Sequence, residues 1–204
     1  MQNDIAYRLI LASASPARRA LLSSAGIDAE VMVSGVDESA VKAEDAYTLC
    51  LALARAKART IAAELPADPS ILVLGCDSVL AFEGEIFGKP VNAEQAAKRW
   101  MTMRGRSGVL HTGHHLTGLV SGRQAEAVGT TVVHFADVTD EEIQAYVATD
   151  EPLNVAGSFT IDGRGGAFVD RIEGDSGNVI GLSLPLLRKL LIEMDISITS
   201  LWRA

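Results

Sequence analysis

The period of the apolar positions changes repeatedly along the chain, and each change marks an element. Residues 7–12 form a short apolar run closed by Ser13-Ala14-Ser15-Pro16, which predicts a buried strand ending in a turn. Ser15 followed by Pro16 is a helix start, with serine as N-cap and proline at the first helical position. This helix turns Ala20, Leu21, Leu22 and Ala25 inward and stops at Gly26. A second strand follows at 29–33. From Asp45 to Leu65, the residues Leu49, Leu53, Ala56 and Ile61 recur near a 3.6-residue period and predict the longest helix. Residues 71–75 are apolar without interruption, which suits a strand buried on both faces. Residues 79–82 and 85–87 flank Glu83-Gly84 as a hairpin. Asn92–Met103 reads as a helix with Ala96, Ala97, Trp100 and Met101 as its core stripe. Residues 110–120 and 127–135 predict paired strands around Ser121-Gly122, and Thr139 with three following acids opens a helix to Ala148. The stretch 151–181 is too rich in glycine for a long regular element, and a last helix spans Pro185–Met194. The expected class is therefore α/β, with helices flanking a mixed central sheet.

Composition narrows the class further. The 204 residues are 48% hydrophobic and 22% charged, enough for one real core, and no linker splits the chain, so 1–204 reads as a single domain. A disordered tail, a collagen-like rod and a disulfide-stapled miniprotein are excluded. Eighteen Lys and Arg stand against 26 Asp and Glu, a net charge of −8. Such a surface repels nucleic-acid polymers and anionic membranes, so a bound polyanion needs a local basic pocket. Cys50 and Cys76 sit among apolar neighbours without metal or redox spacing. They read as two reduced, buried thiols of a cytoplasmic protein. No basic-then-apolar leader and no apolar run of about 18 residues is visible, so neither secretion nor a membrane span is expected.

There is no phosphate-loop motif, no dinucleotide fingerprint after the first strand and no zinc-binding helix. Gly163-Arg164-Gly165-Gly166 is glycine-rich, but no strong helix follows it. Five other places could carry chemistry. Ser13 to Arg19 joins a strand end to a helix N-terminus, where free N–H groups, two hydroxyls and the Arg18 fork suit an anion. The plainer reading is a capped helix start with two solvated arginines. Asp77 follows the most apolar strand, where a carboxylate needs a cation or donors; it reads as a general base or metal ligand rather than a turn cap. Lys89, in Gly88-Lys89-Pro90, could present a point charge to phosphate or be merely solvated. Asp37-Glu38 could hold a hard divalent cation. Lys57, between Arg55 and Arg59, reads at first sight as part of a wet helix face. On a strand, His111 and His115 share one face and His114 the other, so zinc is disfavoured there.

Taken in order, these motifs resemble the Maf family of nucleotide pyrophosphatases. The resemblance rests on Leu11-Ala12-Ser13-Ala14-Ser15-Pro16-Ala17-Arg18, Val36-Asp37-Glu38, Leu74-Gly75-Cys76-Asp77-Ser78 and the stretch from Gly84 to Pro90. Thr112-Gly113, Ala156-Gly157-Ser158-Phe159, the block from Phe168 to Gly174 and the block from Asn178 to Leu182 continue it over nearly the whole chain. The resemblance implies a curved mixed sheet with two lobes around a cleft, of the Maf and inosine-triphosphatase kind, and a homodimer. It implies hydrolysis of a nucleoside triphosphate to the monophosphate and pyrophosphate with Mg²⁺ or Mn²⁺.

Carried over by position, Asp77 is the catalytic carboxylate and helps Glu38 hold the metal. Arg18, Lys57 and Lys89 neutralise the triphosphate, and Ser13 lines the same pocket. Ala17, Ser78 and Asp162 stand where pyrimidine-specific members carry Arg, Thr and Gln. Members acting on 7-methyl-GTP have an acid at the last of these positions, so Asp162 leans that way, although their Gln after the catalytic Asp is absent. An ionised carboxylate only accepts hydrogen bonds, so Asp162 calls for an amino or imino donor on the base. Gly108 and Ser183 replace a frequent His and Pro. Two other readings use the same cations. One is a non-catalytic nucleotide-binding regulator of cell division acting through protein partners; the other is a phosphomonoester hydrolase that releases orthophosphate.

Overall fold

The computed structural model describes residues 6–202. Seven strands form a mixed sheet in the order β2-β1-β3-β5-β6-β7, with β4 paired to β3 outside that path. The chain divides into two compact units. One holds residues up to 77, 112–129 and 181 onward; the other holds 78–111 and 130–180. They interleave along the sequence, so no single cut separates them.

In the first unit, β1 (Arg8–Leu11) pairs in parallel with β2 (Ala29–Val31) on one side and with β3 (Ile71–Phe82) on the other. Parallel neighbours need long crossovers, and α1 (Pro16–Ser24) and α2 (Ala46–Glu64) lie in them. Leu9, Leu11, Leu72 and Leu74 enter one apolar cluster, while Ile10, Ile71 and Val73 enter another that includes Ala58 and Ile61 of α2. The sheet is thus covered on both faces, as the unbroken apolar run required. The side chain of Ser15 accepts the Arg18 amide at the start of α1, as expected of an N-cap. The buried face of that helix differs from expectation: Arg18 and Leu22, one turn apart, point inward, and Ala20 is exposed. The terminal helix α6 (Leu184–Glu193) is capped by Ser183 and buries Leu187, Leu190 and Leu191.

In the second unit, β3 turns back through Glu83 and Gly84, both at positive φ, into antiparallel β4 (Glu85–Phe87). Two consecutive left-handed residues give the tight turn that matches strand twist. The helix α3 (Ala93–Met103) buries Ala96, Ala97, Trp100 and Met103. Met101 is 43% exposed rather than part of the core stripe, because it lies about 100° round the helix from Trp100. The Trp100 ring makes edge contacts with Phe135, Tyr146 and Phe168 at the centre of this core. Thr139 and Glu142 close a capping box on α4 (Asp140–Val147).

The strands β5 (Ser107–Gly118) and β6 (Gln124–Phe135) are neighbours joined through 119–123. Beyond them, the glycine-rich stretch contains short helical turns, a strand β7 (Val169–Glu173) and a short α5 (Ser176–Ile180). β7 was not visible in the sequence. Its register against β6 shifts at a bulge, which breaks the period-two alternation that identifies strands. Among the described residues no helix is long and apolar enough to cross a membrane.

Candidate active site

Asp77 does not terminate a strand. The ladder runs on through it, and β3 continues to Phe82. A carboxylate 6% exposed in the middle of a central strand demands compensation. It receives it from Lys57, whose Nζ lies 2.5 Å from Asp77 Oδ1 and 2.6 Å from Glu38 Oε1. Burial raises the Asp77 carboxyl above the ordinary carboxylate value, while the charges of Lys57 and Arg18 pull it back down.

Lys57 is not on a wet face. It is 8% exposed and sits in the buried stripe Cys50, Leu53, Ala54, Ala58 and Ile61. That stripe is rotated from the expected one: Leu49 and Ala56 are only half-buried. The signal was present, since Lys57 falls four residues after Leu53 and four before Ile61. The close seat of α2 depends on glycine. A Cβ on Gly75 of β3 would lie 2.1 Å from the Ala54 carbonyl, and one on Gly113 of β5 would lie 2.4 Å from the Cys50 carbonyl.

Arg18 is also buried, and three of its N–H donors are committed. Nε donates to the Gly181 carbonyl at 2.7 Å, and Nη1 donates to Ser13 Oγ and to the Cys76 carbonyl, each at 2.9 Å. The arginine therefore ties the turn after β1 and the start of α6 to the residue before Asp77. Ser13 is 6% exposed and belongs to this knot; Ala17, one residue before Arg18, is half-buried. The expected acidic pair divides its work. Asp37 caps a short turn, accepting from the Ser39 amide and hydroxyl, and those bonds hold its pKa below the usual value. Glu38 reaches Lys57. The structure thus brings Ser13, Arg18, Glu38, Lys57 and Asp77 together in the first unit.

Ser78, Lys89 and Asp162 belong to the second unit. Ser78 is half-buried on β3. Lys89 is exposed in a bend held by its neighbour: the Gly88 carbonyl accepts from Arg99 Nη1 at 2.7 Å and from the Gly157 amide at 3.1 Å. The Arg99 guanidinium also stacks over the Phe87 ring, 4.7 Å from its centroid. Sequence reading missed Arg99, which has no motif of its own. Asp162 is exposed, and the Thr160 hydroxyl donates to its carboxylate.

Cys50 and Cys76 are free and buried, and burial pushes each thiol up to about 12. His114 is structural. Its Nε2 accepts from the Ser183 amide, so the proton sits on Nδ1 and is donated to the Thr112 carbonyl. His115 Nδ1 meets Glu126, which also binds Arg55.

The residues suit a hard divalent cation. Two carboxylates converge on one ammonium nitrogen, which puts an oxygen of each within about 5 Å of the other. Carboxylate oxygens are the ligand type that Mg²⁺ takes, one or two of them acting with waters and substrate phosphates.

Known proteins resemble this chain along most of its length. The family model described as Maf-like protein matches residues 8–194. A nucleoside triphosphate pyrophosphatase of Salinispora tropica is 61% identical over 204 residues, covering 99% of this chain and 90% of that protein. Proteins of the same name from Streptomyces coelicolor and Microcystis aeruginosa are 57% and 51% identical, over 96% and 95% of this chain and 94% and 98% of their own lengths. With the match spanning nearly the whole chain and the relatives so similar along it, the chain belongs to the Maf-like protein family.

Proposed function

We propose that this chain is a nucleoside triphosphate pyrophosphatase, hydrolysing its substrate to the monophosphate and pyrophosphate. One observation carries the chemistry: a buried strand carboxylate, Asp77, and Glu38 are held on a single ammonium, Lys57. A triphosphate brings about four negative charges to an acidic protein, so fixed local cations are required. On the resemblance Lys57 is one of them, although its ammonium also pairs with Asp77 and Glu38, and Arg18 keeps the Asp77 strand in place from the other side.

Asp77 orients the attacking water and accepts its proton as the water oxygen bonds to the α-phosphorus. The bond from the α-phosphorus to the α,β-bridging oxygen breaks, and pyrophosphate leaves. Burial raises the proton affinity of this carboxylate, the direction a proton acceptor needs. Glu38 and Asp77 are the residues that would hold Mg²⁺ or Mn²⁺, which when bound supplies positive charge to the phosphoryl oxygens. On the resemblance, Ser13 lines the phosphate site, Lys89 neutralises phosphate charge, and Ala17, Ser78 and Asp162 bear on substrate choice. Asp162 accepts from an amino or imino donor of the base. The two buried free thiols support a reducing, cytoplasmic setting, and the resemblance supports a homodimer.

The test is a panel of ordinary and methylated nucleoside triphosphates with Mg²⁺ or Mn²⁺, scored for product. Equimolar monophosphate and pyrophosphate are expected. Orthophosphate release would make the chain a phosphomonoester hydrolase. Tight nucleotide binding with no product over hours would make it a binding regulator.

A further inference from the structure

The Asp162 loop is anchored at both ends, and the anchors explain the run Gly163-Arg164-Gly165-Gly166. Before the loop, the Trp100 indole donates to the Ser158 carbonyl at 2.7 Å. After it, the Glu151 carboxylate accepts the Arg164 amide on Oε2 at 3.1 Å and the Gly165 amide on Oε1 at 3.0 Å. The backbone lies so close that side chains are barred. A Cβ on Gly163 would stand 2.6 Å from Glu151 Oε2, and one on Gly165 would stand 2.4 Å from the Tyr146 hydroxyl. Tyr146 is buried beneath the loop, with the Glu151 carboxylate as its electrostatic neighbour. Burial works to raise the Glu151 carboxyl, but the Gly165 and Arg164 amides, with the Tyr146 hydroxyl and the Arg164 charge, together hold it below its usual value. Asp162 stands exposed between these anchors, its carboxylate steadied by the Thr160 hydroxyl.

We infer that Glu151 is a positioning residue for base recognition, fixing Asp162 by tying down the backbone two and three residues beyond it. This rests on the reading of Asp162 as the acceptor for the base. A neutral amide at position 151 keeps one acceptor oxygen and meets the second backbone donor with an NH₂ group, so one tether is lost. The loop then moves Asp162 without altering its charge.

The experiment compares Glu151→Gln, Gly163→Ala and Asp162→Asn in the full chain. Gly163→Ala crowds the same carboxylate from the loop side and serves if the glutamine variant does not fold. Dissociation constants, kcat and KM are measured across the panel of ordinary and methylated triphosphates, with amide hydrogen exchange at Arg164 and Gly165. Glu151→Gln is expected to speed exchange at the two amides about tenfold or more, the effect of losing a bond to a charged acceptor. It is expected to shrink the ratio between preferred and disfavoured nucleotides about tenfold, in the same direction as Asp162→Asn and more through KM than through kcat. If Asp162→Asn alters the ratio while the other two leave it unchanged, the inference is overturned and base recognition by Asp162 stands. If none alters it, both fall. If no nucleotide is hydrolysed, the catalytic reading fails, and the ratio of dissociation constants decides the inference in the same way.

Discussion

Gly75 lies directly beneath Ala54, so close that a Cβ on the strand residue would come within 2.1 Å of the helix carbonyl oxygen and 2.9 Å of the Ala58 amide nitrogen. Two residues farther along the strand is Asp77, and three farther along the helix is Lys57. The missing side chain therefore sets the approach that lets ammonium and carboxylate meet at 2.5 Å. Gly75→Ala must push α2 off the sheet, because backbone atoms cannot turn aside. We expect a loss of about 3 kcal/mol, the upper end for overpacking, or about 6–12 °C in melting temperature. Pyrophosphate release should fall with it. Calorimetry beside an activity assay checks this, and an unchanged melting temperature would contradict the close-contact account.

Removing Lys57 should expose the cost of the buried acid. Lys57→Met keeps most of the volume but leaves Asp77 charged, buried and unpaired, a loss of about 3–5 kcal/mol. Adding Asp77→Asn to that variant should restore most of the stability, since the orphaned charge is then gone. A double-mutant cycle by urea unfolding measures the coupling. Strict additivity of the two changes would mean the pair is not coupled.

Asp77→Asn alone should leave a folded protein whose turnover is at least about a hundredfold lower, the scale for loss of a positioned base. Initial rates of pyrophosphate release with saturating Mg²⁺ or Mn²⁺ provide the measurement. Near-wild-type turnover would remove Asp77 from the mechanism.

Acid stability should report on Glu126. Its pKa is lowered to about 2, chiefly by the hydrogen bond from Arg55, with a further bond from His115, against the opposing effect of burial. A carboxyl with a depressed folded-state pKa stabilises fully above its unfolded value of 4.5 and loses that contribution as pH falls toward 2. The stability difference between the wild-type chain and Glu126→Gln should therefore be constant above about pH 5 and shrink below pH 4.5. Denaturant midpoints across that range test it, and a difference independent of pH would refute the assignment. Because Arg55 and Glu126 are partly exposed, the difference should also shrink in high salt.

Much of the site could be read before the fold was known, for local reasons. An acid two residues past the unbroken apolar run 71–75, a serine–proline helix start beside a strand end, and two acids after a second strand are short-range patterns. Lys57 is half legible: Leu53 and Ile61 belong to both the expected and the buried stripe, but Leu49 and Ala56 tilt the expected face away from Cys50, Ala54 and Lys57. The anion-binding role expected of Arg18 is local in sequence; that three of its donors also hold two distant backbone carbonyls and Ser13 is not. Arg99 and Glu151 leave no local signal because their hydrogen bonds run largely to backbone groups 11 to 14 positions away, which leave no trace in side-chain pattern.

The sequence alone determined the alternation of strands and helices, the two-sided burial of β1 and the first half of β3, and the residue types able to meet a polyphosphate. These follow from periodicity and desolvation, which act over a few neighbouring residues. Only the tertiary structure decided that Lys57 and Glu38 reach Asp77, that Arg18 braces the strand from Gly181, and that Gly75 and Gly113 make room for the helix. Those relations join residues 19 to 163 positions apart, and a distance between two such groups is set by how packed layers settle against each other.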